Sequence, residues 1–184
     1  PATIETVAKV LSTKTWDNVV LDPVLICKGQ EPGAALDTDT ALKRLILPRA
    51  TYVTPNQFEA MTLAGMDAID TVDDLVTAAH RIHEACGAAV LAKGGVRLAG
   101  PDAVDVFYDG TRVEILSAPK VGEVAVSGAG CSLAAAVTAE LAKGATPLEA
   151  AVTAKAFVTE GIKARRHGNA PFDALWQGGV AAGG

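Results

Sequence analysis

Short apolar runs typical of buried strands alternate with segments of helical periodicity along this chain of 184 residues. The strand-like runs are Asn18–Leu21, Thr51–Thr54 and Ala88–Ala92. Helical patterns cover residues 4–14, 37–47, 56–63, 72–86, 131–143 and 147–165. Strands that alternate with helices form parallel sheets with both faces covered, because each crossover helix packs back onto the sheet. The order of the segments therefore predicts an α/β fold with a mostly parallel sheet.

A predicted β-hairpin interrupts this alternation. Residues 104–108 and 111–115 alternate apolar with polar side chains and flank the pair Asp109-Gly110. An Asp-Gly pair between two alternating runs is typical of a tight hairpin turn, because glycine readily adopts the positive φ that such turns need. We expect this hairpin to be attached to the parallel sheet.

The composition indicates one globular domain with an acidic surface. Hydrophobic residues make up 49% of the chain and the mean hydropathy is +0.28, so we expect a single domain over residues 1–177 and a disordered tail over 178–184. The net charge of −5 and the pI of about 5.2, without a basic run, argue against nucleic acid and anionic membranes as partners. The sequence shows neither a bilayer-length apolar run nor a leader pattern, which favours a cytoplasmic protein with reduced cysteines.

A glycine-rich turn, Ser127-Gly-Ala-Gly-Cys131, runs directly into an alanine-rich helical segment. Its two glycines let the backbone approach a ligand closely, and the free N–H groups at the start of the helix point at whatever lies there. This arrangement is typical of an anion hole that binds phosphate. The positive end of the helix dipole also favours thiolate over thiol, so Cys131 is a candidate base or nucleophile.

Polar side chains follow the predicted strands at the edge where open α/β sheets bind ligands. Asp22 follows the first strand, Asn56 and Glu59 follow the second, and Lys93 follows the third. Carboxylates, a lysine and a helix N-terminus together suit phosphoryl transfer, because they hold a metal, neutralise developing charge and supply oriented donors. Each residue also has a structural interpretation. Asn56 and Glu59 have the spacing of a helix capping box, and Lys93 could be a solvated charge at a strand end.

The motifs do not support two other reaction classes. The glycine turn is not GxGxxG, because Leu133 stands where the third glycine should be, and the chain contains no GxxxxGK[ST], so neither a Rossmann site nor a P-loop is indicated. His80, His83 and His167 do not follow a predicted strand, which argues against a Cys–His hydrolase. Phosphorylation of a small molecule is the interpretation that the motifs favour.

Five ordered motifs carry a resemblance to a known family. They are Val20-Leu-Asp-Pro-Val24, Val53-Thr-Pro-Asn-Gln-Phe-Glu-Ala60, Leu91-Ala-Lys-Gly-Gly95, Val104-Asp-Val-Phe-Tyr-Asp-Gly110 and Ser127-Gly-Ala-Gly-Cys131. Over residues 20–165 they resemble the ribokinase superfamily, most of all its hydroxymethylpyrimidine kinases and their pyridoxal kinase relatives. The resemblance implies a ribokinase-like three-layer α/β/α kinase that transfers the γ-phosphate of ATP to an alcohol, with Mg²⁺ and a monovalent cation as candidate cofactors.

The resemblance also implies roles for matching positions. Cys131 stands where most superfamily members have a catalytic Asp, and it would deprotonate the substrate hydroxymethyl group. Asp22 and Glu59 would organise Mg²⁺ and its waters. The implied catalytic residues are Cys27, Gly128, Ala129, Gly130 and Cys131; the substrate-binding residues are Val24 and Cys27; the ATP-binding residues are Asn56, Glu59, Lys93, Gly94, Gly95, Asp105 and Gly130; and the metal-binding residues are Asp22 and Glu59.

Cys27 favours the pyridoxal kinases among these relatives. The run Ile26-Cys-Lys-Gly29 resembles the lid of pyridoxal kinases that pair a lid cysteine with the anion-hole cysteine. A lid thiol can add reversibly to the C4′ aldehyde of pyridoxal and turn the 5′-hydroxymethyl group towards Cys131, whereas the pyrimidine lacks that aldehyde. Ser127, where the pyrimidine kinases usually have His, favours the same branch. The structural alternative for Cys27 is a buried lid residue without a chemical role.

These residues predict a kinase of pyridoxal, pyridoxine and pyridoxamine in vitamin B6 salvage. Hydroxymethylpyrimidine or phosphomethylpyrimidine kinase activity in thiamine synthesis is the alternative, and one protein could have both activities. The resemblance implies that on the order of a third of a family-length chain precedes Pro1, including a substrate-binding segment. Loss of that segment would leave a sheet edge unpaired, so an inactive nucleotide-binding module is a further alternative. Family members are usually homodimers, and we expect a homodimer here.

Overall fold

The computed structural model describes residues 2–24, 32–169 and 171–179, with 32–38 as backbone. The helices are α1 (Ala2–Leu11), α2 (Pro32–Leu45), α3 (Gln57–Ala64), α4 (Val72–Cys86), α5 (Ala129–Ala142) and α6 (Pro147–Lys163). The strands are β1 (Val20–Leu21), β2 (Tyr52–Val53), β3 (Ala89–Gly95), β4 (Asp102–Tyr108) and β5 (Val113–Pro119). Two short 3₁₀ helices cover Leu47–Arg49 and Gln177–Gly179.

The strands form one mixed sheet in the order β1-β2-β3-β4-β5. β1, β2 and β3 are parallel, whereas β3–β4 and β4–β5 are antiparallel pairs. The α/β prediction and the attached hairpin are therefore confirmed. The hairpin extends the sheet in its own plane, with pairing from Tyr108–Val113 to Asp102–Pro119. The predicted tight turn at Asp109-Gly110 and the strand start at residue 111 are wrong, because β5 begins at Val113 and the connection covers residues 109–112.

The sheet separates two layers of helices. Leu91 and Phe107 lie on the face covered by α5 and α6, and they belong to one hydrophobic core. Their strand neighbours Val90 and Val106 lie on the opposite face, in a second core with α3 and α4. Because successive strand residues point to opposite faces, an uninterrupted apolar run can fill both cores. This is the three-layer α/β/α arrangement that the resemblance implied.

Helix α5 begins differently from α3, α4 and α6. Those three helices start with capping boxes at Asn56, Thr71 and Thr146, in which the N-cap side chain accepts a hydrogen bond from the N3 backbone. The N-cap of α5 is Gly128, with φ of 84° and ψ of −6° and no side-chain cap. No side chain caps the first N–H groups of α5, and the Ala129 N–H donates a long hydrogen bond of 3.4 Å to the carbonyl of Val126.

Some sequence predictions fall partly outside the described residues. The helical pattern predicted from residue 37 begins earlier, as α2 from Pro32, and residues 25–31 lie outside the described part. Gly178 and Gly179, the first residues of the predicted tail, lie in a 3₁₀ helix, and residues 180–184 lie outside it as well. Within the described ranges, no helix has the length and apolar character required to span a membrane.

Candidate active site

Three strand ends bring a lysine, a carboxylate and a hydroxyl together. Nζ of Lys93, near the end of β3, lies 3.0 Å from Oδ1 of Asp22, which follows β1. Oγ1 of Thr54, which follows β2, donates a hydrogen bond of 2.9 Å to the same carboxylate oxygen. The parallel register aligns these ends, and the Lys93 N–H extends it by donating to the carbonyl of Pro55 at 2.8 Å. The pair is partly buried, with side chains 13% and 18% exposed for Lys93 and Asp22.

Glu59 and Asn56 form the capping box of α3. The Glu59 N–H donates to Asn56 Oδ1 at 3.0 Å, and the Asn56 N–H donates to Glu59 Oε2 at 2.7 Å. Burial of Glu59, which is 4% exposed, raises the pKa of its carboxyl group. The Asn56 hydrogen bond and the Lys93 charge oppose that rise in pKa, and the charge of Asp22 adds to it. Glu59 therefore has its structural role and also lies within electrostatic reach of the Lys93–Asp22 pair.

The start of α5 meets Lys93. Gly128 is the N-cap, and Ala129, Gly130 and Cys131 are the first three helical residues. A Cβ atom built on Gly130 would lie 3.4 Å from Nζ of Lys93. The lysine ammonium and the uncapped helix N-terminus therefore face the same small space. A positive side chain beside free backbone N–H groups is an arrangement that binds phosphate.

Cys131 is exposed and lines a cavity of about 510 Å³ between α5 and α6. Its thiol is therefore accessible at the first turn of the helix. Val24 is also exposed, and its N–H donates to the carbonyl of Asp22 at 2.9 Å. Cys27 lies outside the described residues, so the expected pairing of Cys27 with Cys131 stays a prediction.

Gly94 and Gly95 have different surroundings. A Cβ atom at Gly94 would lie 2.5 Å from the carbonyl oxygen of Val104, so the packing of β3 against β4 requires glycine there. Gly95 has a φ of 53° and faces open space. It lines an apolar cavity of about 160 Å³ together with Ala103, Val126 and Ala129. This cavity adjoins the start of α5, so a flat apolar group could lie beside a phosphate bound there.

The carboxylate of Asp105 pairs with α6 and not with Lys93. Asp105 is opposite Lys93 in the β3–β4 register, but its buried carboxylate lies 2.8 Å from Nζ of Lys155 on α6. Lys155 also donates to the carbonyl of Ala103 at 2.9 Å. The carboxylate of Asp105 is therefore engaged by α6, and its assignment to ATP binding stays a prediction.

Sequence reasoning missed three side chains around the site. Thr54 lies within the Val-Thr-Pro-Asn motif and could have been found as the first residue after a strand. Arg97, in the turn after β3, lowers the pKa of Glu59 through its charge. Lys155 is 50 residues from its partner Asp105, and no sequence pattern near Lys155 indicates this pairing.

The carboxylates suit a metal ion that is bound together with a nucleotide. In the part of the chain that the structure describes, no group of three or more His, Cys, Asp or Glu side chains could hold a metal. Asp22 and Glu59 each use one oxygen in the hydrogen bonds given above, and no hydrogen bond from the described residues reaches the other. Mg²⁺ in nucleotide sites is typically held by one or two carboxylates, substrate phosphates and water. The donor set therefore fits Mg²⁺ carried by a nucleotide.

The three-layer fold, with an uncapped helix N-terminus beside a lysine at the strand ends, defines a protein of the ribokinase-like class. A family model described as phosphomethylpyrimidine kinase matches residues 1–173, and the chain belongs to this family.

Curated and solved relatives are vitamin kinases. The chain is 46% identical to the pyridoxine kinase of Bacillus subtilis over 87% of this chain and 59% of that protein. It is 36% identical to the hydroxymethylpyrimidine/phosphomethylpyrimidine kinase of the same organism, again over 87% and 59%. The pyridoxal kinase from Staphylococcus aureus in complex with AMP-PCP and pyridoxal superposes with a TM-score of 0.87 at 32% identity, over 98% of this chain and 65% of that chain. The chain thus spans about three fifths of the length of these proteins.

Proposed function

We propose that this chain forms the phosphate-binding part of a kinase that transfers the γ-phosphate of Mg·ATP to the 5′-hydroxymethyl group of pyridoxal, pyridoxine or pyridoxamine. The observation that carries the proposal is the approach of Lys93 to Gly130 at the uncapped start of α5. A lysine ammonium and backbone N–H groups facing one space can neutralise the charge that develops on a transferring phosphoryl group. The similarity to pyridoxine and pyridoxal kinases supports the choice of substrate.

The nucleotide is proposed to lie across the start of α5. Its base would occupy the apolar cavity lined by Gly95, Val126 and Ala129. Its phosphates would run towards Lys93 and Gly130, and Asn56 would contact them from the start of α3. An apolar slot beside a positive helix end matches the two chemical halves of ATP.

Cys131 is proposed as the general base. Its sulfur, in the first turn of α5, would take the proton of the substrate hydroxyl while the oxygen attacks the γ-phosphorus. The bond from the γ-phosphorus to the bridging oxygen breaks, and ADP leaves with the electron pair of that bond. The turn Gly128–Gly130 would donate backbone N–H groups to the transferred phosphoryl oxygens. Cys27 is proposed to hold pyridoxal by reversible addition to its aldehyde, with Val24 beside the substrate.

Asp22 and Glu59 are proposed to hold Mg²⁺ through its water ligands. When bound, the ion would neutralise phosphate charge. Lys93 would keep the Asp22 carboxylate oriented, since it contacts one carboxylate oxygen at 3.0 Å. The other oxygen would then be available to a water ligand of the metal. Asn56 would do the same for Glu59 through the capping box.

Phosphate transfer to two substrates measured side by side tests this proposal. The purified chain, Mg·ATP and either pyridoxal or hydroxymethylpyrimidine are compared for the unsubstituted protein and the variants C131A, C27A and C86A. We expect transfer to pyridoxal, a loss in kcat of at least about 100-fold in C131A, reduced pyridoxal turnover in C27A, and unchanged kcat in C86A. Cys86 is the matched control, because its thiol is half-buried at the end of α4 and donates to the carbonyl of Ile82.

The alternatives give other results in the same assay. Transfer to hydroxymethylpyrimidine alone would assign the chain to thiamine synthesis, which the 36% identity to a hydroxymethylpyrimidine/phosphomethylpyrimidine kinase supports. ATP binding without transfer to either substrate would identify a nucleotide-binding module. Intact pyridoxal turnover in C27A would remove the proposed role of the lid thiol.

The proposal extends to the assembly, location and ion dependence of the protein. We expect a homodimer, which light scattering on the purified chain measures. We expect a cytoplasmic location, which cell fractionation measures. A rise in turnover on exchanging Na⁺ for K⁺ at constant ionic strength would identify a monovalent cation as an activator.

A further inference from the structure

A short C-terminal segment, residues 173–177, crosses the anion-hole turn, and we call it the C-terminal strap. The Ser127 N–H donates to the carbonyl of Asp173 at 2.8 Å, and the Leu175 N–H donates to the carbonyl of Ser127 at 2.9 Å. Nε2 of Gln177 donates to Oγ of Ser132 at 3.2 Å. The strap therefore holds the residue just before Gly128 and also the first turn of α5.

Residues 121–127, which precede the turn, are held in place by these contacts. Residues 121–127 contain no helix or strand, and residues 122–125 are exposed. Among the described residues, the backbone hydrogen bonds that tie 121–127 to a distant part of the chain are the two at Ser127. The direction of the following N–H groups is therefore set by what holds Ser127.

The strap is itself fixed to the end of α6. Nε of Arg165 donates to Oδ2 of Asp173 at 3.0 Å, and Nδ1 of His167 lies 2.6 Å from Oδ1 of Asp173. Leu175 is 5% exposed and belongs to the hydrophobic core beside α5 and α6. A Cβ atom on Gly161 of α6 would lie 3.0 Å from the Leu175 side chain, so strap and helix are in close contact.

Arg165 lies near one end of residues 121–127 and is linked to the other end through Asp173. Its Nη2 atom would lie 3.6 Å from a Cβ atom built at Gly122. Its Nε donates to the carboxylate of Asp173, and the carbonyl of Asp173 accepts the hydrogen bond from the Ser127 N–H. The Arg165–Asp173 pair therefore connects the end of α6 to the backbone of the phosphate site.

We propose that Asp173 is a positioning residue of the phosphate site and acts through the backbone of Ser127. Its carboxylate, held by Arg165, keeps its carbonyl aimed at the Ser127 N–H, and this fixes the direction of the N–H groups at Gly128–Gly130. Positioning of this kind affects phosphoryl transfer strongly, because oriented donors stabilise the transition state when they are already in place. This role requires no contact between Asp173 and the substrate. The proposal rests on the proposed kinase function for the identity of the site and for its kinetic readout, whereas the exchange readout needs no substrate.

Amide hydrogen exchange tests the positioning role without any substrate. Exchange is followed by NMR at Ser127, Gly128 and Gly130, and at Val90 and Leu91 in the core strand β3. We expect D173A and R165Q each to raise exchange at Ser127 by about tenfold or more while the two core amides stay protected. We expect a smaller rise in D173N, because asparagine keeps an oxygen acceptor. E160Q is the control, since Glu160 forms an exposed pair with Lys163 at the same end of α6.

Steady-state kinetics supply the second readout. We expect kcat for pyridoxal to fall about tenfold in D173A with KM for ATP changed less than threefold, and E160Q to match the unsubstituted protein. Unchanged exchange at Ser127 in D173A, D173N and R165Q would overturn the proposal, and so would an equal rise at the core amides. If D173A does not fold, D173N and R165Q decide by the same exchange criterion. Absence of turnover in the unsubstituted chain would contradict the proposed function and leave the exchange test intact.

Discussion

A Cβ atom built on Gly130 would lie 3.4 Å from Nζ of Lys93. Gly130 belongs to the first turn of α5, whereas Lys93 lies near the end of β3. A side chain at position 130 would therefore contact the lysine ammonium. Gly130 does not have a positive φ, so its backbone conformation does not itself require glycine.

We expect Gly130→Ala to separate activity from stability. Gly130 lies within α5 and alanine favours helices, so the free energy of unfolding should stay equal or rise by up to about 1 kcal/mol. The methyl group enters the space beside Lys93, so kcat/KM should fall at least about tenfold. Urea unfolding and steady-state kinetics measure the two effects.

Gly128→Ala provides a comparison for the effect of Gly130→Ala on stability. Gly128 has a φ of 84° and no neighbouring atom within 4 Å of a built Cβ. Alanine there should cost about 1–2 kcal/mol of unfolding free energy, because an L-residue is strained in the left-handed region. If Gly130→Ala loses stability and keeps activity, the close approach to Lys93 has no role in phosphate binding.

Lys93→Met should abolish most of the activity. It removes the cation that faces both Asp22 and the start of α5, and methionine keeps the length of the side chain. We expect kcat/KM for ATP to fall by at least about 100-fold in a steady-state assay. Lys163→Met, which removes an exposed cation from the end of α6, should leave kcat/KM within twofold of the unsubstituted value. Equal effects in the two variants would contradict a specific role for Lys93.

The sequence allowed the site residues to be predicted where they lie at the ends of parallel strands. Asp22 and Lys93 were expected to meet because parallel strands end at one edge of a sheet, and they lie 3.0 Å apart. Contacts between distant segments could not be predicted in this way. Asp105 and Lys155 are 50 residues apart, and no local pattern indicates that a helix lysine will reach that carboxylate. The hydrogen bond between Asp173 and Ser127 joins backbone atoms, so the pattern of side chains along the sequence does not indicate it.

Glu59→Gln should change the pH dependence of stability. Burial raises the pKa of Glu59, so between its ordinary pKa and the raised value the folded state binds more protons than the unfolded state. The free energy of unfolding of the unsubstituted protein should therefore fall, relative to Glu59→Gln, as the pH rises through this window. Glutamine can still accept the Asn56 N–H, so the capping box is kept. Urea unfolding at several pH values without divalent cations measures the difference.

Asp74→Asn provides a control of opposite sign at the same capping-box position in α4. Hydrogen bonds from the Thr71 side chain and from the backbone of Asp70 and Thr71 lower the pKa of Asp74. The unsubstituted protein should therefore gain stability relative to Asp74→Asn as the pH rises through the window below the ordinary aspartate pKa. A difference between Glu59→Gln and the unsubstituted protein that stays constant with pH would show that Glu59 is not affected by its burial.

Substitutions of the buried pair Asp105 and Lys155 should have strongly non-additive effects on the free energy of unfolding. The side chains are 7% and 11% exposed and 2.8 Å apart. Asp105→Leu and Lys155→Met each leave an unpaired buried charge, so each should cost about 3–5 kcal/mol of unfolding free energy. The double variant replaces the pair with apolar groups and should cost less than either single variant, because no charge is left unpaired. Urea unfolding of the four proteins completes the double-mutant cycle, and costs that simply add would show that the two side chains do not interact.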